Sequence, residues 1–329
     1  MNLVMCADDN YAPLLGVSIY SILKNNKTFN EINFYILDAN ISSLNKLRIE
    51  TIVNNFNSKI EYINTEEIDS KIQATIKTKV KSLSTYYRVF LTTLLSERLN
   101  KIIYMDCDSI VCSDLKELWD TNIEDYHIAG VLDVIPEHNK LSIGLKENDS
   151  YFNAGMLLIN IEKWRQDKIE SKMIAFINSY NGAVRYHDQG IINGVCQKKM
   201  ILHPKFNVLT PFFVMSKKQI IHYHQLNAYD YSESEISEAK NQPVFVHFVP
   251  FLTDRPWVKG NFHPLKYTYN SILNETPWKG LVFKKRSSTL EPFVKWLFML
   301  FPYEVFIFSL NFLRKLKIRT WLRSITSVN

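Results

Sequence analysis

The stretch that most constrains the fold is residues 101–111, Lys-Ile-Ile-Tyr-Met-Asp-Cys-Asp-Ser-Ile-Val. Four apolar residues, Ile102 to Met105, run directly into two carboxylates one residue apart, and apolar residues resume at Ile110. A short continuous apolar run suits a strand buried in a parallel sheet. Asp106 and Asp108 then sit at its carboxyl end, where open α/β sheets bind ligands. Hard carboxylate oxygens at that spacing suit Mg2+ or Mn2+. The bland alternative is a loop pair that caps the next helix.

The chain ahead of this stretch reads as strand (3–6), helix (14–23), strand (32–37), helix capped by Ser42, and strand (59–63). Short connections between these elements give a parallel α/β pattern. Gly occurs nine times and no Gly-x-Gly is present. The phosphate-binding fingerprints of dinucleotide folds and P-loop enzymes are therefore absent. A nucleotide on such a sheet needs another anchor, most simply a metal ion.

Arg88 lies among apolar neighbours in residues 84–91, which open a helix, and a guanidinium there needs an anionic partner; a structural salt bridge would satisfy it. Residues 127–132 and the second half of 151–160 read as buried strands, and 161–180 as a helix. The polar segment 137–150 between Gly/Pro signals reads as a mobile loop, a candidate lid. Arg185-Tyr186-His187-Asp188-Gln189-Gly190 precedes a helix at 191–196, where Asp188 could be no more than its cap. Residues 243–248 form a late strand ending near His247. A lone His is more often structural, but the Asp pair still lacks a third partner.

The net charge of +6 is unevenly placed. Residues 279–329 hold ten Lys/Arg against Glu291 and Glu304, leaving residues 1–278 at −2. The basic, aromatic-rich end carries Phe293, Trp296, Phe298, Phe301, Phe306, Phe308, Phe312 and Trp321 beside Arg314, Lys315, Lys317, Arg319 and Arg323. Pro302 and Glu304 interrupt it, so it suits an element lying in the headgroup region of an anionic leaflet better than a spanning helix. A core helix with a solvated basic tail is the alternative. The aromatics cluster apart from the charges, which argues against nucleic acid. The expected division is a catalytic domain at 1–278 and a membrane-association segment at 279–329. Cys6, Cys107, Cys112 and Cys196 show no metal spacing and read as buried thiols of a reducing compartment. Residues 1–9 lack the pattern of a signal peptide, so a cytoplasmic protein on the inner membrane face is expected.

Five motifs occur in the order found in family 8 glycosyltransferases, which are retaining enzymes of GT-A fold: Cys-Ala-Asp-Asp-Asn-Tyr at 6–11, Thr-Tyr-Tyr-Arg at 85–88, Asp-Cys-Asp at 106–108, Phe-Asn-Ala-Gly at 152–155 and His-Asp-Gln-Gly at 187–190. The chain resembles that family from residue 1 to about residue 257, and most closely its bacterial lipopolysaccharide and lipooligosaccharide galactosyl- and glucosyltransferases. The resemblance implies an α/β fold with a mainly parallel central sheet and a helical tail.

It also implies roles. Ala7, Asp8, Asn10 and Tyr11 would meet the uridine of a UDP-hexose, with Tyr11 stacking on the base. Arg88, Asp106, Cys107, Asn153, Ala154, Asp188 and Gln189 would surround the donor, and Asp106, Asp108 and His247 would hold Mn2+, or Mg2+, on the diphosphate. Gln189 and Asp188 are the implied catalytic pair. The family's usual His-x5-Lys-Pro-Trp, with a Gly between, departs here to His247, seven residues, then Arg255-Pro256-Trp257, with Pro250 near the Gly position. Arg255 would replace the Lys on phosphate, although Arg and Lys are not interchangeable. The implied activity is transfer of galactose or glucose to a glycan or glycolipid acceptor. The alternatives are a haloacid-dehalogenase-type phosphohydrolase and a membrane-docked UDP-sugar-binding protein with a degenerate site.

Overall fold

The computed structural model describes residues 1–76, 83–283 and 291–315. Its centre is a seven-stranded sheet of order β3-β2-β1-β4-β7-β6-β8. The strands are β1 (Asn2–Asp8), β2 (Asn33–Ala39), β3 (Lys59–Asn64), β4 (Lys101–Met105), β6 (Ile128–Leu132), β7 (Phe152–Asn160) and β8 (Lys199–Ile201). Strands β3, β2, β1 and β4 run parallel, and β8 runs parallel to β6. Only β7 is reversed, pairing antiparallel with β4 and β6. A small second sheet of β5 (Ser109–Val111), β10 (Phe245–His247) and β9 (Val208–Leu209) stands at the end of β4.

This architecture follows from the apolar runs. Ile102, Ile103, Tyr104 and Met105 of β4 are buried, as are residues 152–159 of β7. Each large apolar side chain so buried contributes roughly 1.5–3 kcal/mol. Helix Ala12–Asn25 carries Pro13 in its first turn, where the missing N–H is harmless, and packs most of its surface inward. Ser42 caps helix Ser43–Asn54 by accepting from Asn45 N, as its sequence position predicts.

Several local expectations change. Residues 83–90 wind as a 3-10 helix (Leu83–Phe90) that runs into Leu91–Leu94. The expected helix at 161–180 divides into Ile161–Gln166 and Ile169–Ser179, because Lys168 adopts φ 52°. Segment 137–150 is anchored rather than loose. It contains helix Glu137–Leu141, buries Asn139, Ile143 and Leu145, and donates Asn139 Nδ2 to the Tyr186 hydroxyl at 2.7 Å.

Helices Glu291–Leu300 and Tyr303–Lys315 meet at Pro302. Val294, Phe306 and Leu310 are buried, Tyr303 Oη donates to Gln219 O, and Lys295 Nζ donates to Asp254 Oδ1 at 2.6 Å. Trp296, Leu300, Phe301, Phe308 and Phe312 are exposed. Among the described residues no helix is long and apolar enough to cross a membrane. Lys317, Arg319, Trp321 and Arg323 lie outside the described residues.

Candidate active site

The carboxyl end of β4 is pinned by its neighbours. Asp106 N donates to Gly155 O at 2.8 Å and Phe248 N donates to Asp108 O at 2.9 Å. The turn is thus held by residues following β10 on one side and by β7 on the other. Register places His247 of β10 opposite Ser109 of β5, which brings the imidazole onto the two carboxylates. Its Nε2 lies 3.1 Å from Asp108 Oδ1 and 3.8 Å from Asp106 Oδ2. One ligand atom from each of Asp106, Asp108 and His247 lies within 4.8 Å of the others. Gly155 makes room for the ring: a Cβ there would stand 2.2 Å from His247 Cε1 and Nδ1.

Arg88 is buried beneath this pair. Its Nη1 donates to Ala154 O at 2.5 Å and Nη2 to Asp106 Oδ1 at 2.6 Å. Nε lies 2.6 Å from Asp188 Oδ2, an ion pair without aligned hydrogen-bond geometry. The guanidinium also covers the Tyr104 ring, 4.3 Å from its centroid. One cation is therefore shared by two carboxylates. Burial pushes the Asp188 carboxyl up to about 6 from 3.8, with Asp106 adding to the rise and Arg88 opposing it. The salt bridge expected for Arg88 exists, and it joins two motifs a hundred residues apart. Asp188 lies inside helix His187–Val195 rather than capping it, and Tyr186 at the N-cap makes no side-chain cap bond.

Tyr186 and His187 both adopt left-handed backbone, φ 60° and 51°, a conformation that is costly outside glycine. The sharp entry it makes is held by Tyr86 Oη at 2.9 Å from His187 Nδ1. Asn193, one helical turn beyond Gln189, accepts from Phe152 N at 2.7 Å and donates to Phe152 O at 2.8 Å. This amide clamp locks the helix to the start of β7. As a result Ala154 N donates to Gln189 Oε1 at 2.9 Å, while Gln189 Nε2 donates to Asp133 Oδ2 at 2.9 Å.

Asp133 escaped the sequence reading. It follows β6 as Asp106 follows β4, and a carboxylate directly after an apolar strand was its available signal. It accepts from both Gln189 Nε2 and Asn153 Nδ2, the latter at 3.3 Å, and burial pushes its carboxyl upward. Asn153 Oδ1 in turn accepts from Gly155 N and Asn207 Nδ2, each at 3.0 Å, and lies 3.0 Å from His247 Nδ1. Asn207, Asn193 and Tyr151, whose hydroxyl accepts from Gln189 Nε2 at 3.3 Å, are further members of the network absent from the sequence reading.

Ala7, Asp8, Asn10 and Tyr11 occupy the carboxyl end of adjacent β1. Ala7 is buried, Asn10 is exposed, and the Tyr11 side chain is 41% exposed while its N–H donates to Asp8 Oδ1 at 3.0 Å. Cys107 is buried and donates to Cys6 O at 2.8 Å, tying the Asp pair to β1. Arg255 Nη2 donates to Asp108 Oδ2 at 2.6 Å, and its Nε donates to Phe248 O at 2.9 Å. The guanidinium carbon stands 5.6 Å from the Trp257 ring centroid. The displaced Arg thus reaches the centre. Burial alone would raise the Asp108 carboxyl, but Arg255 and His247 outweigh it and hold it well below the usual carboxylate range.

Two carboxylates and an imidazole are a donor set that accepts Mn2+ or Mg2+. Charge agrees: Asp106, Asp108 and Asp188 share two guanidinium groups, Arg88 and Arg255, and the fourth carboxylate, Asp133, meets only the amides of Gln189 and Asn153. That excess of negative charge in a partly desolvated cleft favours a divalent cation.

A mainly parallel sheet with an Asp-x-Asp turn and a converging His at its carboxyl edge is the frame of a GT-A glycosyltransferase. The chain matches the family model Glycosyl transferase family 8 over residues 2–260 and belongs to that family. It is 41% identical over 213 residues to a putative glycosyltransferase of Haemophilus influenzae, an alignment spanning 63% of this chain and 63% of that relative. It is 26% identical to the lipopolysaccharide 1,2-glucosyltransferase of Escherichia coli K12, over 85% of this chain and 79% of that protein. Among solved structures, the galactosyltransferase LgtC in complex with donor and acceptor sugar analogs matches with a TM-score of 0.67 and 26% identity, covering 84% of this chain and 96% of that one.

Proposed function

We propose that the protein is a retaining hexosyltransferase that moves galactose or glucose from a UDP-sugar to a glycan acceptor. The observation that carries this reading is the convergence of Asp106, Asp108 and His247 beside the Arg88–Asp188 pair and Gln189. A bound Mn2+ or Mg2+ on those three ligands would act as a Lewis acid toward the departing diphosphate. Arg88 holds Asp106 in place from behind, and Arg255 supplies a guanidinium able to pair with phosphate. Tyr11 offers an exposed ring for the base, with Ala7, Asp8 and Asn10 at the same sheet edge and Cys107 bracing the turn. Asn153 and Ala154 belong to the wall facing the donor.

An amide is a poor nucleophile, and Gln189 is held by Ala154 N and Asp133. Front-face attack therefore fits better than a covalent intermediate, with Gln189 and Asp188 stabilising positive charge on the sugar. UDP release from UDP-Gal and UDP-Glc with Mn2+, beside p-nitrophenyl phosphate hydrolysis, tests the assignment. Turnover of the aryl phosphate would indicate a phosphohydrolase, and tight UDP binding without turnover a binding protein.

The exposed Trp296, Leu300, Phe301, Phe308 and Phe312, followed by a basic terminus, support docking on an anionic membrane from the cytoplasmic side. This division, with residues 1–278 catalytic and 279–329 membrane-associating, fits a lipid-linked acceptor such as a lipopolysaccharide core, lipooligosaccharide or capsule intermediate. Val294, Phe306 and Leu310 are nevertheless buried. The sharper test is thus Phe308→Ser with Phe312→Ser, which should lower sedimentation with anionic vesicles while sparing activity on a soluble acceptor. Unchanged sedimentation would remove the docking reading.

A further inference from the structure

We propose that Asn153, besides its place in the donor-facing wall, acts on the metal centre: it is the positioning residue that fixes the ring of His247 and couples it to Gln189. This rests on the metal reading given above. Asn153 is 4% exposed, and its carboxamide is engaged on every side. Oδ1 receives Gly155 N–H, Asn207 Nδ2 and His247 Nδ1, all at 3.0 Å, and Nδ2 reaches Asp133 Oδ2 at 3.3 Å. A carbonyl oxygen has two lone pairs, so three donors already exceed its usual share.

The His247 contact has a definite consequence. An oxygen that only accepts requires Nδ1 to carry a proton, and the Nε2 lone pair is then the one available to a cation. Metal-bound histidines are commonly oriented by an acceptor on their second nitrogen, and loss of that acceptor costs 10–100-fold in metal affinity. The ring cannot turn away easily, because Gly155 leaves room for it in this position and Asn153 Oδ1 is also tied to the Gly155 N–H. The chain then continues from Asn153 Nδ2 through Asp133 to Gln189 Nε2. One carboxylate thereby sets the orientation of two amides, one serving the metal ligand and one at the reacting face. Asn207, fully buried, holds Asn153 from behind.

The test measures Mn2+ affinity of the full-length protein by electron paramagnetic resonance, with neither donor nor acceptor present. Circular dichroism and melting curves verify the fold of each variant. Asn153→Ala should weaken Mn2+ binding ten- to a hundredfold, and Asn153→Asp, which keeps an acceptor for Nδ1–H, should restore it to within about threefold of wild type. Unchanged Mn2+ affinity in Asn153→Ala, with a raised KM for the UDP-sugar, would overturn the proposal and leave Asn153 a role on the sugar alone. Equal losses in the Ala and Asp variants would also overturn it, since packing alone would then explain them. A wild-type protein that takes up neither Mn2+ nor Mg2+ refutes the metal reading itself, and this inference with it.

Discussion

Replacing Arg88 by Met keeps most of the side chain's volume and removes its charge. The guanidinium makes contacts of 2.5 Å to Ala154 O and 2.6 Å each to Asp106 and Asp188, and only 9% of its side chain is exposed. Removing one member of a buried ion pair costs about 3–5 kcal/mol, because the partner charge is left behind. Here two carboxylates lose the same cation, so the upper half of that range is expected at pH 8. Native domains have total stabilities of about 5–15 kcal/mol, so Arg88→Met should be among the most damaging single changes.

The effect should depend on pH in a definite sense. Without Arg88, which opposes its rise, the Asp188 carboxyl titrates higher still. Stability is then present while Asp188 is protonated and is lost as pH rises through its raised folded-state value. Urea unfolding of EDTA-treated wild type and variant should therefore show a difference of about 4 kcal/mol at pH 8 that shrinks below pH 6. A difference under about 1 kcal/mol at pH 8, the range of solvent-exposed pairs, would refute the buried-cluster reasoning.

Further changes probe the same centre. Asp188→Asn should flatten part of the wild-type pH profile: the interval from 3.8 to about 6 corresponds to about 3 kcal/mol that favours folding below pH 4 and is lost by pH 7. A parallel profile in the variant would show that Asp188 does not titrate there. Gly155→Ala puts a Cβ 2.2 Å from the His247 ring; Mn2+ affinity should fall by more than about tenfold and stability by about 1–3 kcal/mol, as for overpacking in a core, checked by metal titration and melting. Arg255→Ala frees Asp108 Oδ2 from its 2.6 Å partner. Mn2+ alone should bind more tightly to that variant, while UDP in the presence of metal binds more weakly; calorimetry showing both unchanged would place Arg255 outside the site. Asp133→Ala removes the shared acceptor of the Gln189 and Asn153 amides; Gln189 Nε2 keeps the Tyr151 hydroxyl at 3.3 Å, so the cost is about 1–3 kcal/mol for the Asn153 donor left unpaired. It should lower kcat more than it raises the donor KM, and a change confined to KM would contradict the orienting role.

The succession of strands and helices along the chain, the buried apolar runs and the placement of Asp106 and Asp108 at a strand end were legible in the sequence, because hydrophobic periodicity and strand termini are local properties. The five motifs led to the family for the same reason: each is contiguous. Other features depended on packing. Whether segment 137–150 was loose turned on Asn139 meeting Tyr186, and whether Arg88 was merely structural turned on which carboxylates the fold brought within 2.6 Å. Asp133 has no motif around it. Its meaning comes from β7 reversing direction between β4 and β6, which places Asn153 and Gln189 against it. The two insertions between His247 and Arg255 left open whether that arginine could reach the centre, and the packing of Nε on Phe248 O with Nη2 on Asp108 answers it. Residue types and their local spacing determine which chemistry this chain can perform. Only the tertiary structure decides which side chains share a charge or a hydrogen bond, because those distances run through space rather than along the chain.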